Sequence, residues 1–331
     1  MEGPRTAEPE LDWRPGARPE RLRQRASMLA EIRAFFAARG VLEVDTPQLI
    51  NYAVTDRHLH SAQVRWPGAP ARLQHLHTSP EYAMKRLLAA GSGDIYQTCH
   101  VFRGDEQGPI HNCEFTLLEW YRREWSLAAL MREVDELLRT LLATKVGTAT
   151  RYLSYEEVFV EALGCNPLSD PDRRLADCAR DQGLDDALVR GCGRDELLDL
   201  LMGARIGPQL GLAGPVFVHH YPASQAALAR LDPTDRRVAL RFELYLHGVE
   251  LANGFEELAD ADEQAARFRA DQEARAARGL LVSPIDEYLL AALRAGLPAC
   301  AGVALGFDRV LMIACGAQRI EEVLPFTSER A

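Results

Sequence analysis

Glu243 and Glu250 sit in a stretch, residues 242–258 (FELYLHGVELANGFEEL), whose spacing can bring two carboxylates together. Phe242, Leu244 and Leu246 fall on one parity and Glu243 and Tyr245 on the other, the period of a half-buried strand. His247-Gly248 reads as a two-residue hairpin loop, after which residues 249–252 resume the strand. With that loop Tyr245 faces Glu250 and Glu243 faces Ala252, so the two glutamates become diagonal neighbours, roughly 7–8 Å apart at Cα. Such a pair either faces water or holds a divalent cation, and carboxylate oxygens suit Mg²⁺. The sequence that follows, Asn253-Gly254-Phe255-Glu256-Glu257, favours a site, because the glycine predicts a bulge that re-aims side chains.

Other residues carry similar signals. Within residues 113–122, Phe115, Leu117, Glu119 and Tyr121 share one strand face, and a glutamate and a tyrosine beyond an aromatic read as a pocket wall. Leu118 and Trp120 then face the core. Ser79, Pro80 and Glu81 open a helix: serine suits the N-cap, proline the first position, glutamate the positive first turn. Glu81 serves either the helix dipole or a site. Arg309 stands in the first turn of a helix over residues 307–313, where a cation opposes the dipole. A bound anion is the simplest reason for it.

The elements that must position these groups follow from periodicity. Residues 1–19 hold four prolines and read as a flexible leader. A helix from Glu20, with Leu22, Ala26, Leu29, Ile32 and Phe36 at helical spacing, stops at Arg39-Gly40. Strands are predicted over 41–45, 73–77, 95–102, 113–122, 216–220 and 301–306, and further helices after Ser126, over 261–278 and over 285–295. Residues 167–213 read as a helical insertion within one catalytic domain spanning 20–331. The chain has 331 residues, 47% hydrophobic and 26% charged, with a net charge of −10, which argues against extensive nucleic-acid wrapping. Its seven scattered cysteines form no C-x-x-C pair, so neither a disulfide framework nor a zinc ribbon fits. With no signal segment and no long apolar run, a cytoplasmic protein without membrane contact is expected.

Three fragments line up in order: residues 39–47 (RGVLEVDTP); residues 102–119, opening with Phe102-Arg103 and closing HNCEFTLLE; and residues 302–309 (GVALGFDR). They resemble motifs 1, 2 and 3 of the class II aminoacyl-tRNA synthetases. Residues 77–82 (HTSPEY) and 250–258 (ELANGFEEL) resemble the lysine-specific members. Only a short leader precedes motif 1, where a lysyl-tRNA synthetase carries an anticodon-binding domain. The chain is thus similar to the free-standing paralogues that ligate a lysine-type amino acid to elongation factor P, as residues 118–121 (LEWY) and 221–225 (YPASQ) also suggest.

The resemblance implies an α+β fold, an antiparallel sheet flanked by helices, with motif 1 at a homodimer interface and no tRNA partner. ATP would be bound by Arg103, Asp105, Glu106, His111, Asn112, Phe115, Glu250, Leu251, Gly306 and Arg309. Within that set Arg103 would hold the α-phosphate, Arg309 the γ-phosphate, and the Phe115 ring would stack on adenine. Glu243 and Glu250 would hold Mg²⁺. Ser79, Glu81, Glu119, Tyr121, Asn253, Phe255, Glu257 and Ala304 would line the amino-acid pocket for lysine or β-lysine. Arg103 and Arg309 would be the catalytic residues. Two departures stand out: the usual Arg-Asn-Glu of motif 2 is Arg103-Gly104-Asp105-Glu106, leaving Asp105 or Glu106 to read adenine, and the usual proline is Cys113. In motif 3, Ala304 replaces the second glycine of a G-x-G-x-G-x-D-R pattern, which favours β-lysine over α-lysine.

Overall fold

The structure, a computed structural model, describes residues 13–104, 106–147 and 149–331, the side chains of 69–72 excepted. Eleven strands are present among them: β1 Leu42–Glu43, β2 Leu49–Ile50, β3 Gln63–Trp66, β4 Ala69–Leu76, β5 Ile95–Phe102, β6 Glu114–Arg123, β7 Arg151–Ser154, β8 Val216–Pro222, β9 Val238–Leu246, β10 Val249–Glu256 and β11 Cys300–Gly306. The α-helices are α1 Pro19–Ala37, α2 Glu81–Ala89, α3 Leu127–Leu142, α4 Tyr155–Leu163, α5 Asp172–Asp181, α6 Asp186–Gly191, α7 Arg194–Leu201, α8 Ala261–Ala277, α9 Glu287–Gly296 and α10 Phe307–Cys315.

Eight strands form one sheet in the order β1-β5-β6-β11-β10-β9-β8-β7. The six central strands are antiparallel, as expected, but β1 joins β5 and β7 joins β8 in parallel, so the sheet is mixed at both edges. Alternation gives the sheet two different faces. Trp120, Phe217, Phe242, Leu244, Val303 and Leu305 point to one side and pack with Phe36 of α1, Val134 and Leu137 of α3 and Leu311 of α10. At about 1.5–3 kcal/mol for each large apolar side chain taken from water, this layer fixes the register of every central strand. The opposite face carries the polar row described below. A smaller sheet, β2-β4-β3, stands beside it.

The hairpin turn has His247 at φ 53° and Gly248 at φ 75°, both left-handed, as a two-residue turn of type I′ requires. Its register differs from the sequence expectation. Glu250 does pair with Tyr245, but a bulge at Leu251 shifts the ladder, so Glu243 pairs with Asn253 rather than Ala252. Gly254 is regularly paired and makes no bulge. A Cβ there would lie 2.5 Å from the Phe242 ring, so this glycine serves the core.

Two expectations at the N-terminal end change. Residues 1–12 of the expected leader lie outside the described residues, while 13–19 are held: Gly16 and Ala17 donate their N–H groups to Pro325 O and Leu324 O at 2.9 and 3.0 Å. On α1 the buried face is Met28, Ile32, Phe35 and Phe36, and Ala26 is exposed. The first half of the helix is held by polar contacts instead. Arg21 pairs with Glu322 at 2.7 Å, and Arg25 bonds Thr116 Oγ1 at 2.5 Å and pairs with the buried Asp308. Asp308 also accepts the Thr116 N–H at 2.7 Å, pinning the start of α10 to β6.

Candidate active site

Pairing across the sheet brings distant residues into rows on its polar face. One row runs Gln97, Glu119, Ala304, Asn253, Glu243; the next runs Ile95, Tyr121, Gly302, Phe255, Arg241. Above them opens a cavity of about 560 Å³. It is lined by every described residue singled out from the sequence: Ser79, Glu81, Arg103, Glu106, His111, Asn112, Phe115, Glu119, Tyr121, Glu243, Glu250, Leu251, Asn253, Phe255, Glu257, Ala304, Gly306 and Arg309. Asp105 lies outside the described residues.

One end is acidic and buried. Helix α2 begins at Glu81, one residue later than predicted, with Pro80 at the N-cap position. Ser79 still satisfies the helix start by accepting the Glu81 N–H at 3.0 Å, and its hydroxyl donates to Glu119 Oε2 at 2.7 Å. Tyr121 donates to Glu119 Oε1 at 2.6 Å. Burial, then the nearby Glu81, push the Glu119 carboxyl up to about 7, against the pull of these two hydrogen bonds. Lys85, only 2% exposed, bridges Glu81 Oε1 at 2.7 Å and Glu257 Oε2 at 2.6 Å. Burial pushes Glu257 up to about 8 even with Lys85 opposing. The two carboxylates hold the lysine ammonium protonated, raising it above its ordinary value despite burial. Glu257 Oε1 is buried and has no hydrogen-bond partner among the described residues. A buried, unmatched carboxylate oxygen is costly unless a donor arrives, and an ammonium group is the donor of matching charge.

The other end is cationic. Arg309 donates to Glu250 O at 2.8 Å and to His111 Nε2 at 2.7 Å. Burial first, then Arg309, lowers the His111 pKa, so the ring is neutral and can accept. Arg103 lies over the Phe115 ring at 5.2 Å and reaches Glu106 Oε1 at 3.3 Å. Between the ends stand Glu243 and Glu250. Glu250 is pushed up to about 7 by burial and then by Glu243. Two carboxylates that repel each other in a buried wall fit a divalent cation, whose charge would offset both the burial and the repulsion. Glu243 is also engaged by Arg241 at 2.5 Å and by the Tyr245 hydroxyl at 2.6 Å.

Sequence reasoning missed Lys85, Arg241, Tyr245 and Gly302. Lys85 follows Glu81 by four residues, the spacing of a helical ion pair, and that signal was readable. Arg241 and Tyr245 share the parity of Glu243 and were readable as well. Gly302 was not: a Cβ there would overlap the Tyr121 ring and approach Glu257 Oε1 to 2.7 Å, a crowding visible only once three strands are side by side.

Guanidinium groups at one end of a cavity and buried carboxylates at the other suit a ligand that is anionic at one end and cationic at the other. The chain belongs to the class II tRNA synthetases (D, K and N), whose family model matches residues 2–330. More narrowly, it is similar to proteins named elongation factor P–(R)-β-lysine ligase. It is 49% identical over 322 residues to that of Pectobacterium carotovorum subsp. carotovorum, covering 96% of this chain and 98% of the relative. It is 50% identical over 323 residues to that of Vibrio cholerae, covering 97% and 99%. With the Salmonella arizonae ligase the identity is 48% over 323 residues, covering 96% and 98%.

Proposed function

We propose that this chain activates a lysine-type amino acid, β-lysine by preference, with ATP as the aminoacyl-adenylate and transfers it to a lysine side chain of elongation factor P. The observation that carries this reading is the single cavity with arginines at one end and, at the other, an orphaned glutamate oxygen suited to an ammonium group. Half-identity to the ligases along their whole length supports the acceptor.

In the first step a substrate carboxylate oxygen attacks the α-phosphorus and pyrophosphate leaves. Glu257, Glu81, Glu119 and Tyr121 hold the ammonium end, which points the carboxylate toward Arg103. Arg103 neutralises charge on the α-phosphate and Arg309 on the departing phosphates, so positioning and electrostatics carry the rate. Glu243 and Glu250 are the residues that would hold Mg²⁺, which supplies charge neutralisation at the phosphates when bound. In the second step the neutral amine of the acceptor lysine attacks the acyl carbonyl. AMP leaves, the amide forms and the nitrogen gives up one proton, keeping the other as the amide N–H.

The enzyme works as a cytoplasmic homodimer through the motif 1 region and does not charge tRNA. Among the described residues no helix is long and apolar enough to cross a membrane. The test is amino-acid-dependent ATP–pyrophosphate exchange, followed by mass spectrometry of elongation factor P and of tRNA incubated side by side. Arg103→Ala and Arg309→Ala should each cut exchange about 10²–10³-fold, the usual cost of losing a transition-state charge contact. Unchanged exchange in both variants defeats the activation step. Charged tRNA with unmodified elongation factor P defeats the acceptor.

A further inference from the structure

The loop between β5 and β6, residues 103–113, contributes Arg103, Glu106, His111 and Asn112 to the cavity. Among its described residues the Arg103 N–H bonds Cys113 O at 2.8 Å and the Glu106 N–H bonds Arg103 O at 3.4 Å at its base, and Gly108 and His111 exchange backbone bonds at 3.2 Å near its tip. A loop so weakly tied to itself needs an outside support to hold a nucleotide in register. At the base the Gly104 N–H bonds His60 O at 2.8 Å, and toward Pro109 and Asn112 the support comes from residues 320–328. The Ile320 N–H donates to Pro109 O at 2.7 Å. Ser328 donates twice to Asn112 Oδ1, from its N–H at 3.2 Å and from its hydroxyl at 3.1 Å. The Cys113 thiol in turn donates to Ser328 Oγ at 3.1 Å. Asn112 is buried, and its Nδ2 donates to Glu114 O at 2.6 Å, so both ends of its carboxamide are engaged within the protein. It acts as a post of the loop.

The support is itself anchored. Gly16 and Ala17 bond Pro325 and Leu324, Arg21 pairs with Glu322, and Arg330 donates to Arg14 O at 2.7 Å. His111, next to Asn112, accepts from Arg309 at 2.7 Å, so the position of the post passes to the arginine at the phosphate end. We propose that the C-terminal segment is a clasp for the nucleotide loop, with Ser328 a positioning residue for ATP that acts through Asn112 and without touching the nucleotide. This rests on the reading that the 103–113 loop holds ATP.

The test is ATP–pyrophosphate exchange by Ser328→Ala, Ser328→Thr and Cys113→Ala, with Arg103→Ala as the control for the loop's role. Ser328→Ala loses the hydroxyl's bond to Asn112 and the weak thiol bond it accepts from Cys113, and should raise the KM for ATP about threefold to tenfold. The KM for the amino acid, kcat and the thermal midpoint should stay near wild type. Ser328→Thr, which keeps the hydroxyl, should restore the KM, and Cys113→Ala should shift it in the same direction by less. An unchanged KM for ATP in Ser328→Ala while Arg103→Ala raises it overturns the clasp alone. Equal rises in both KM values, or a loss of kcat with thermal stability, also overturn it, since they mark a general structural role. No effect of Arg103→Ala on ATP overturns the reading beneath it as well.

Discussion

Lys85→Met removes the ammonium that bridges Glu81 and Glu257 beneath the acidic end of the cavity. In the wild type its ammonium bonds Glu81 and Glu257 at 2.7 and 2.6 Å, and the lysine and Glu257 are both almost wholly buried. Breaking a buried ion pair from one side strands the partner's charge and costs about 3–5 kcal/mol. The sign with pH follows from which group titrates in range. Burial raises Glu257 to about 8 with Lys85 present, and removing the lysine raises it further. A carboxyl with a raised folded pKa is stabilising when protonated, below its unfolded value, and that stability is lost as pH rises through the folded value. The penalty in the variant is therefore full at alkaline pH and shrinks toward pH 5. Lys85 itself is raised, so its contribution is present throughout this window and is lost only above it. Urea unfolding of both proteins at pH 8.5 and 5.5 measures the effect. A loss below about 1 kcal/mol at pH 8.5, or one that does not shrink at pH 5.5, refutes the ion-pair reasoning. The double variant Lys85→Met/Glu257→Gln should recover part of the loss, because no charge is then stranded.

Other expected outcomes follow from the same geometry. Gly302→Ala should abolish amino-acid activation while ATP binding, measured by calorimetry, survives, because its Cβ would displace Tyr121 and Glu257 and nothing at the arginine end. Burial raises Glu119 to about 7, and on the proposed reading its ionised form is the one that meets the substrate ammonium. The KM for the amino acid should thus fall as pH rises through 7, and Glu119→Gln should remove that part of the fall while leaving the part that follows Glu257, raised to about 8. Ala304 is paired with Glu119 on one side and Asn253 on the other. Ala304→Gly should raise exchange with α-lysine relative to β-lysine, within the roughly 10–200-fold that one methyl can decide.

Much of the site was legible because strands alternate. Once residues 113–122 and 242–246 read as half-buried strands, Glu119, Tyr121 and Glu243 had to share the face opposite Trp120 and Phe242, and they do. What alternation does not contain is a break in itself. The bulge at Leu251 adds one residue to β10, so the pairing of Glu243 moves from Ala252 to Asn253 while Glu250 keeps Tyr245. Gly254 was a misleading cue, since a glycine relieves a clash with a neighbouring ring as well as it makes a bulge. The helix α1 shows the same limit for period 3.6. Its first half contacts the chain's last residues through Arg21 and Arg25, partners roughly three hundred positions away that no local pattern announces.

The separation of charge along the cavity has a consequence for which substrates can react. On the proposed reading Arg103 and Arg309 meet the phosphates at one end, while Glu81, Glu119 and Glu257, with Lys85 bridging two of them, leave the other end acidic. A zwitterion with an added side-chain ammonium fits only one way round, because the reverse pose would set its carboxylate among buried carboxylates and its ammonium beside guanidinium groups. Orientation is thus set before any contact with the reacting atoms, and a monoamine of the same length gives up the contact to the orphaned Glu257 oxygen. A site built to meet a polar group rejects the analogue lacking it far more strongly than a pocket rejects a missing methylene, by about 10⁴–10⁵ against 10–200-fold. On the proposed reading, discrimination between lysine isomers then falls to the weaker device, the shape of the strand around Ala304, and discrimination between lysine-type and apolar amino acids to the stronger one, the buried carboxylates bridged by Lys85.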